Sequence, residues 1–322
     1  MIAIHKNKVI SVQSLFKTEI EAQRVRALKK LKNINKNQFN TVEKNYLKEV
    51  IALFEHNSPI QIIECSPSDI LSQIVTLNVI PPNSRFYKNR RPKKSLKKFI
   101  LGALNYTSLR KSFYPKYFKE IGIKSCVYCN SQLSITAVKS NGGYSAKFDV
   151  DHYHSKDDYP FLSISLFNLY PACSSCNRAK SNNKIEFELY TKYTSKTLKS
   201  NYRFELSPYS KSKYLTTKDV NDIGFIFNEP KYSTSEVTKF NEVFHIERIY
   251  ETQNDLIEEL IIKSQIYNKA YLKTLKLNFD KLSLNPKLFK RTIVGNYTED
   301  KDIHKRPMSK FIMDIAKELD LI

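Results

Sequence analysis

Four of the five cysteines in this 322-residue chain form two matched pairs, Cys126-Val-Tyr-Cys129 and Cys173-Ser-Ser-Cys176. Two such knuckles can close a tetrahedral four-thiolate site, which suits zinc. Four thiolates leave no coordination position open, so the expected zinc is structural and adds on the order of 10 kcal/mol to folding. Between the pairs stands Asp151-His152, with Asn168-Leu169 just before the second pair and Asn177 directly after it. Cleaving a phosphodiester needs an activated water, charge neutralisation and stabilisation of the departing oxygen. A divalent ion can supply the last two. A positioned imidazole can supply the first, worth ~10²–10⁴-fold. His152 is the candidate general base. Asp151 and Asn177 offer hard oxygen ligands that suit a catalytic Mg²⁺ or Mn²⁺. Asn168, through its side-chain oxygen or backbone carbonyl, is placed to accept the His152 Nδ1–H and fix the tautomer. These residue types together point to metal-dependent phosphodiester hydrolysis on a zinc-stapled scaffold.

The elements that must position them can be read from the flanking pattern. Asn141-Gly142-Gly143 marks a turn between short β-prone runs. Strands are expected over 147–154 and 166–171, and a helix over 175–184 that carries Asn177 in its first turn. Neighbours on a strand point to opposite faces, so Asp151 and His152 can serve one phosphate only if the strand end bends. The module is thus a ββα unit at about 122–199 with the CxxC pairs at its base. Helices are expected around it: 18–32, 39–56, 66–77, 95–106 and 109–121, the last ended by Gly122. Residues 200–322 read as mainly helical, with Leu256, Leu260, Tyr267, Tyr271 and Leu275 as the apolar stripe of one long helix. The fold class is α+β: a mainly helical chain in three regions, 1–121, 122–199 and 200–322, around the small central module.

The net charge of +21 is unevenly spread. Residues 1–120 carry 23 Lys/Arg against 8 Asp/Glu, and 84–119 hold twelve basic residues and no acidic one. A solvated helix face usually mixes signs; a one-sided block of this length suits a track of phosphates. Arg90, Arg91, Lys93 and Lys94 are the substrate-gripping candidates within it. Paired cysteines without further partners argue for metal over disulfides and so for a reducing, cytoplasmic setting. The fifth, Cys65, reads as an inert buried thiol. No run approaches the ~18 apolar residues of a membrane span, so no membrane partner is expected.

Val150-Asp151-His152, Asn168-Leu169-Tyr170-Pro171 and Cys173-Ser-Ser-Cys176-Asn177-Arg-Ala-Lys180 together resemble the HNH, or ββα-metal, endonuclease family. The resemblance implies His152 as general base, Asp151 and Asn177 as ligands of the catalytic metal, and Asn168 as the residue that orients the base. It makes Arg178 and Lys180 candidates for phosphate contact. Gly122-Ile-Lys-Ser-Cys-Val-Tyr-Cys-Asn130, Tyr159-Pro-Phe-Leu-Ser163, Ser207-Pro-Tyr209 and Gly295-Asn-Tyr297 are similar to bacterial HNH proteins encoded beside ATPases, among them the HNH component of the Septu phage-defence system. That looser similarity implies an ATPase partner and a defence role. One departure stands out: relatives often read His-Phe-Tyr-Pro-Lys where this chain has His152-Tyr-His-Ser-Lys156. His154 is then an extra ligand, a proton relay or a solvent-facing residue.

Two other readings use the same residues. A zinc-ribbon module would bind nucleic acid without cutting it, leaving Asn168 and Asn177 as coincidences. An RNase would use the same centre, since nothing in the motif reads a 2′-hydroxyl, and Arg85-Phe-Tyr-Lys88 could stack unpaired bases. DNA is the favoured substrate.

Overall fold

The computed structural model describes residues 2–83, 94–191, 200–231 and 237–322. Arg90, Arg91 and Lys93 lie outside the described residues; Lys94 is described and exposed.

Among the described residues, six α-helices build the first region: α1 (Lys6–Leu15), α2 (Lys17–Lys32), α3 (Thr41–Leu53), α4 (Pro67–Leu77), α5 (Leu96–Leu104) and α6 (Tyr106–Ile121). Their ends follow local chemistry. Asn40 with Glu43, and Ser66 with Asp69, form reciprocal capping boxes at the starts of α3 and α4. Asn105 in the left-handed conformation separates α5 from α6, and Gly122 at φ +83° ends α6. Helix α2 buries Ile20, Arg24, Ala27 and Leu31, a 3–4 spacing that turns one face inward.

The central region holds two small antiparallel pairs. β1 (Thr136–Val138) and β2 (Tyr144–Ala146) form a hairpin that packs on α6. β3 (Asp149–His152) pairs with β4 (Leu169–Ala172) in the register Asp151 to Tyr170 and His152 to Leu169. The strand expected from Leu166 begins only at Leu169, because Leu166–Asn168 turn as a 3₁₀ helix. Helix α7 (Ser174–Lys180) then packs back on β3.

The third region adds β5 (Arg203–Leu206), α8 (Ser210–Thr217), β6 (Phe225–Asn228), α9 (Phe240–Phe244), α10 (Ile246–Glu251), α11 (Asn254–Ile266), α12 (Lys269–Asp280), α13 (Pro286–Val294) and α14 (Ser309–Glu318). The one long helix read from the sequence is two. Asn268 caps a fresh start by accepting from Tyr271 N, so the chain breaks after Ile266. The buried stripe of α11 is Ile257, Leu260 and Ile261, while Tyr271 on α12 is exposed. Helix α14 buries even Lys310 and Asp314, which pair with each other, and Asp314 Oδ2 also accepts from Phe204 N at 3.0 Å.

One contiguous apolar core draws on all three regions. Aromatic rings fill it: Tyr128 stacks on Phe244 at 4.7 Å, and Tyr250 meets Phe204 and Phe311 at 4.7 Å each. Many of the described Tyr and Phe residues thus serve packing. Among the described residues, no helix is long and apolar enough to cross a membrane.

Candidate active site and metal centre

The two knuckles meet. Sγ atoms of Cys126, Cys129, Cys173 and Cys176 all lie within 4.8 Å of one another, and all four residues are buried. A tetrahedron of Zn–S bonds at ~2.3 Å needs sulfurs ~3.8 Å apart, so this donor set fits zinc. A divalent ion would ligate all four as thiolates. The first knuckle turns at Asn130, whose φ is +55° and whose N–H donates to Cys126 O at 2.9 Å. Tyr250 Oη donates to Cys129 O at 2.8 Å, tying the knuckle to the third region.

Strand alternation decides what lies on either side of β3. Asp149 and Asp151, two apart, face α7. Asp151 Oδ2 accepts from Tyr128 Oη at 2.6 Å and sits 3.4 Å from Lys180 Nζ. Burial raises its carboxyl pKa, against the opposing pull of Lys180. Asp149 Oδ2 accepts from Asn177 Nδ2 at 3.3 Å, and its other oxygen pairs with Arg110 of α6. His152 projects to the opposite face, 5% exposed. Its ring packs against Tyr106, also of α6, with centroids 4.6 Å apart. Tyr106 and Arg110, four apart on one helix face, thus embrace the two sides of β3; Tyr106 Oη also donates to Val150 O at 2.7 Å.

The imidazole is oriented differently from the sequence expectation. His152 Nε2 lies 3.0 Å from Ser163 O. A carbonyl only accepts, so Nε2 carries the proton and Nδ1 keeps its lone pair. Burial, with Lys156 next, lowers the ring's pKa to about 3, so it is neutral throughout the physiological range. Asn168 does not take the Nδ1 proton as expected. Its Oδ1 accepts from His154 N at 2.8 Å, and its Nδ2 donates to His154 O at 3.1 Å and to Leu162 O at 3.2 Å. The buried amide therefore clamps the exit of β3 to the segment that carries Ser163. It reaches the imidazole through that backbone.

The two phosphate-contact candidates on α7 have different surroundings. Lys180 is buried, and its Nζ donates to His152 O at 3.0 Å while facing Asp151. It is a strut between α7 and β3. Arg178 is exposed. The ring of His154 packs against Tyr153 and Tyr159, with centroids at 4.9 and 6.3 Å.

Sequence reasoning passed over Asp149, Arg110, Tyr106, Tyr128 and Ser163. Asp149 was legible, since a carboxylate two before Asp151 must share its face. Tyr106 and Arg110 had only their four-residue spacing, and a backbone carbonyl such as that of Ser163 has no sequence signature.

Residues 126–183 match the model of the HNH endonuclease family. No curated protein and no solved structure matches the chain. The matched span begins at the first thiol ligand, takes in β3, β4 and Asn168, and closes just beyond α7. The chain therefore carries an HNH endonuclease domain, built around a buried four-cysteine cluster and set within helical flanks.

Proposed function

We propose that this protein is a metal-dependent endonuclease that hydrolyses nucleic-acid phosphodiesters, with DNA the favoured substrate. The observation that carries the reading is the HNH match over 126–183. His152 takes the proton of the attacking water at Nδ1, with Ser163 O holding the opposite nitrogen; because it stands on the other face of β3 from Asp149 and Asp151, the phosphate must sit across the strand end to meet both. Asp149 and Asp151 project toward α7, where Asn177 stands, and these oxygen donors would hold a Mg²⁺ or Mn²⁺. Such an ion, when bound, neutralises the phosphate and stabilises the leaving oxygen. The donor types suit it, since all are oxygens, but Arg110 holds one Asp149 oxygen and must yield it to the ion. Asn168 and Lys180 keep the strand exit and α7 in register with the base.

The grip comes from the first region. Lys30, Lys94 and Lys98 border an open groove of about 630 Å³ that no acidic residue lines. Arg90, Arg91 and Lys93 extend the same acid-free run in sequence. Arg178, exposed on α7, adds a cation beside the centre. The resemblance to nucleases encoded beside ATPases supports an ATPase partner and a cytoplasmic anti-phage role. Helix α12, which buries none of its residues, supports the third region as the contact surface.

Digesting labelled duplex DNA, single-stranded DNA and tRNA side by side tests the reading. Because the His152 ring is buried, His152→Asn is preferable to alanine. It should lower turnover by ~10²–10⁴-fold, and EDTA should stop cleavage until Mg²⁺ or Mn²⁺ is restored. Cleavage of tRNA alone makes the protein an RNase. Binding without cleavage of any substrate reduces it to a zinc-stapled binding module.

A further inference from the structure

The run Gly295-Asn296-Tyr297 plays no part in the nuclease centre, and the structure gives it a separate task. Gly295 ends α13 at φ +85°. Asn296 is buried: its Nδ2 donates to Pro307 O at 3.0 Å, and its Oδ1 accepts from Ser309 Oγ at 2.6 Å and Tyr297 N at 2.8 Å. These bonds fix the half-buried ring of Tyr297 among three cations. Arg291 Cζ, Arg306 Cζ and Lys305 Nζ lie 5.1, 5.4 and 5.6 Å from its centroid. The face of an aromatic ring attracts each cation through its quadrupole.

Beside the ring opens a cavity of about 380 Å³, lined by Arg291, Lys305, Lys287, Lys301, Glu299 and Asp302. Arg306 flanks it across the ring, with one guanidinium nitrogen donating to Gly295 O at 2.9 Å. The cavity's carboxylates are already engaged. Glu299 pairs with Lys287 at 2.9 Å and Lys301 at 3.4 Å, and Asp302 pairs with Lys305 at 2.7 Å. Arg291 and Arg306 have no carboxylate partner among the described residues. The cluster carries five cations against two carboxylates, an excess of three. The whole of 200–322 carries only 20 Lys/Arg against 18 Asp/Glu, so the charge is gathered here.

The cavity is also fixed to the nuclease domain. Lys124 N and Ser125 N donate to His304 O at 2.7 and 3.2 Å, and Asn130 Nδ2 donates to Ile303 O at 3.2 Å. Its wall over 300–305 is therefore bonded to the first cysteine knuckle.

We propose that this cavity is a binding site for phosphoryl groups, with Arg291 on its wall as the recognising fork, Arg306 adding charge from its flank and Tyr297 as the platform between them. A guanidinium fork matches two phosphate oxygens at once, which a lysine ammonium does not. The phosphoryl group belongs either to a nucleic-acid strand passing the domain or to a free nucleotide. The strand source rests on the nuclease reading; the nucleotide source does not.

The test uses the full chain carrying His152→Asn, so that no turnover is needed. Anisotropy of a labelled DNA oligonucleotide across a salt series, and calorimetric titration with AMP and ATP, are compared with and without Arg291→Gln/Arg306→Gln. The double substitution should weaken oligonucleotide binding about tenfold at low salt and reduce the slope of log K against log salt by up to ~1.8, ~0.9 for each phosphate contact on duplex. Loss confined to the oligonucleotide identifies the strand; loss of AMP or ATP binding identifies the nucleotide. Lys301→Glu, 60% exposed and so no threat to folding, carries the same test if the arginine variant misfolds. Unchanged affinity for oligonucleotide, AMP and ATP in variants with wild-type circular dichroism would overturn the proposal. A wild-type chain that cuts nothing removes the nuclease reading and leaves these binding results standing.

Discussion

At the base of the HNH domain, four thiols from knuckles more than forty residues apart converge within 4.8 Å. On the strand above them, two adjacent residues diverge: Asp151 meets Tyr128 and Lys180, while His152 meets Tyr106 and Ser163. The thiol cluster is closed, carried by a few residues at short spacing. The Asp149–His152 strand is distributed, held by partners from α6, α7 and the segment after Tyr159. A structural metal fixes its ligands by binding them. A base and its neighbouring carboxylates must be fixed beforehand by everything else.

If that contrast is right, the largest effect belongs to the thiols. Cys176→Ser, or extraction of zinc by a strong chelator, should remove on the order of 10 kcal/mol of folding free energy, comparable to the ~5–15 kcal/mol of a whole domain. Metal analysis should give about one equivalent of zinc, and its loss should abolish the cooperative thermal transition. Mild EDTA that stops cleavage should leave that transition in place. A zinc-free chain that melts normally would erase the distinction between the two regions.

The next effect separates two cations on one helix. Lys180→Met strands a buried Asp151 carboxylate and frees His152 O, which should cost about 3–5 kcal/mol in urea unfolding. Arg178→Gln, at an exposed position, should stay within about 0.5 kcal/mol. Equal stabilities would return Lys180 to the surface role that the motif suggested.

The thiol pairs, the β3–β4 unit, the helix after Cys173 and most N-terminal helix boundaries could be read directly, because CxxC spacing, caps and glycines act locally. The partner of the imidazole could not. Asn168 is expected from the sequence to accept from the ring, yet its three amide bonds go to backbone atoms of His154 and Leu162. Tertiary closure decides which carbonyl meets a ring. The split of α11 from α12 was missed for a related reason: the apolar spacing continues across the break, and only the cap at Asn268 interrupts it. Asn168→Ala should therefore cost about 1–3 kcal/mol of stability, the price of buried donors and acceptors left unmet. It should also lower turnover by loosening Ser163. A variant with normal stability but no activity would instead favour direct contact with the base.

The smallest expected effect probes the most exposed part of the strand. Arg110 and Asp149 form an ion pair whose side chains are 45% and 17% exposed, so it should contribute no more than about 1 kcal/mol to folding. Its importance is for the divalent ion of the proposed mechanism. Arg110 rests on one oxygen of Asp149, while Asn177 Nδ2 approaches the other. On that proposal, an ion would have to compete with the guanidinium for Asp149. Arg110→Gln should raise Mn²⁺ affinity by about two- to fivefold, the equivalent of the pair's own strength, and Asp149→Asn should lower it. In the double variant, the Arg110 substitution should no longer matter. Binding read by calorimetry or by the Mn²⁺ resonance signal keeps the measurement independent of cleavage. If Mn²⁺ affinity is untouched by both single substitutions, Asp149 is not a ligand. The carboxylate must then be Asp151, and Lys180 and Tyr128 would have to release it when the ion enters.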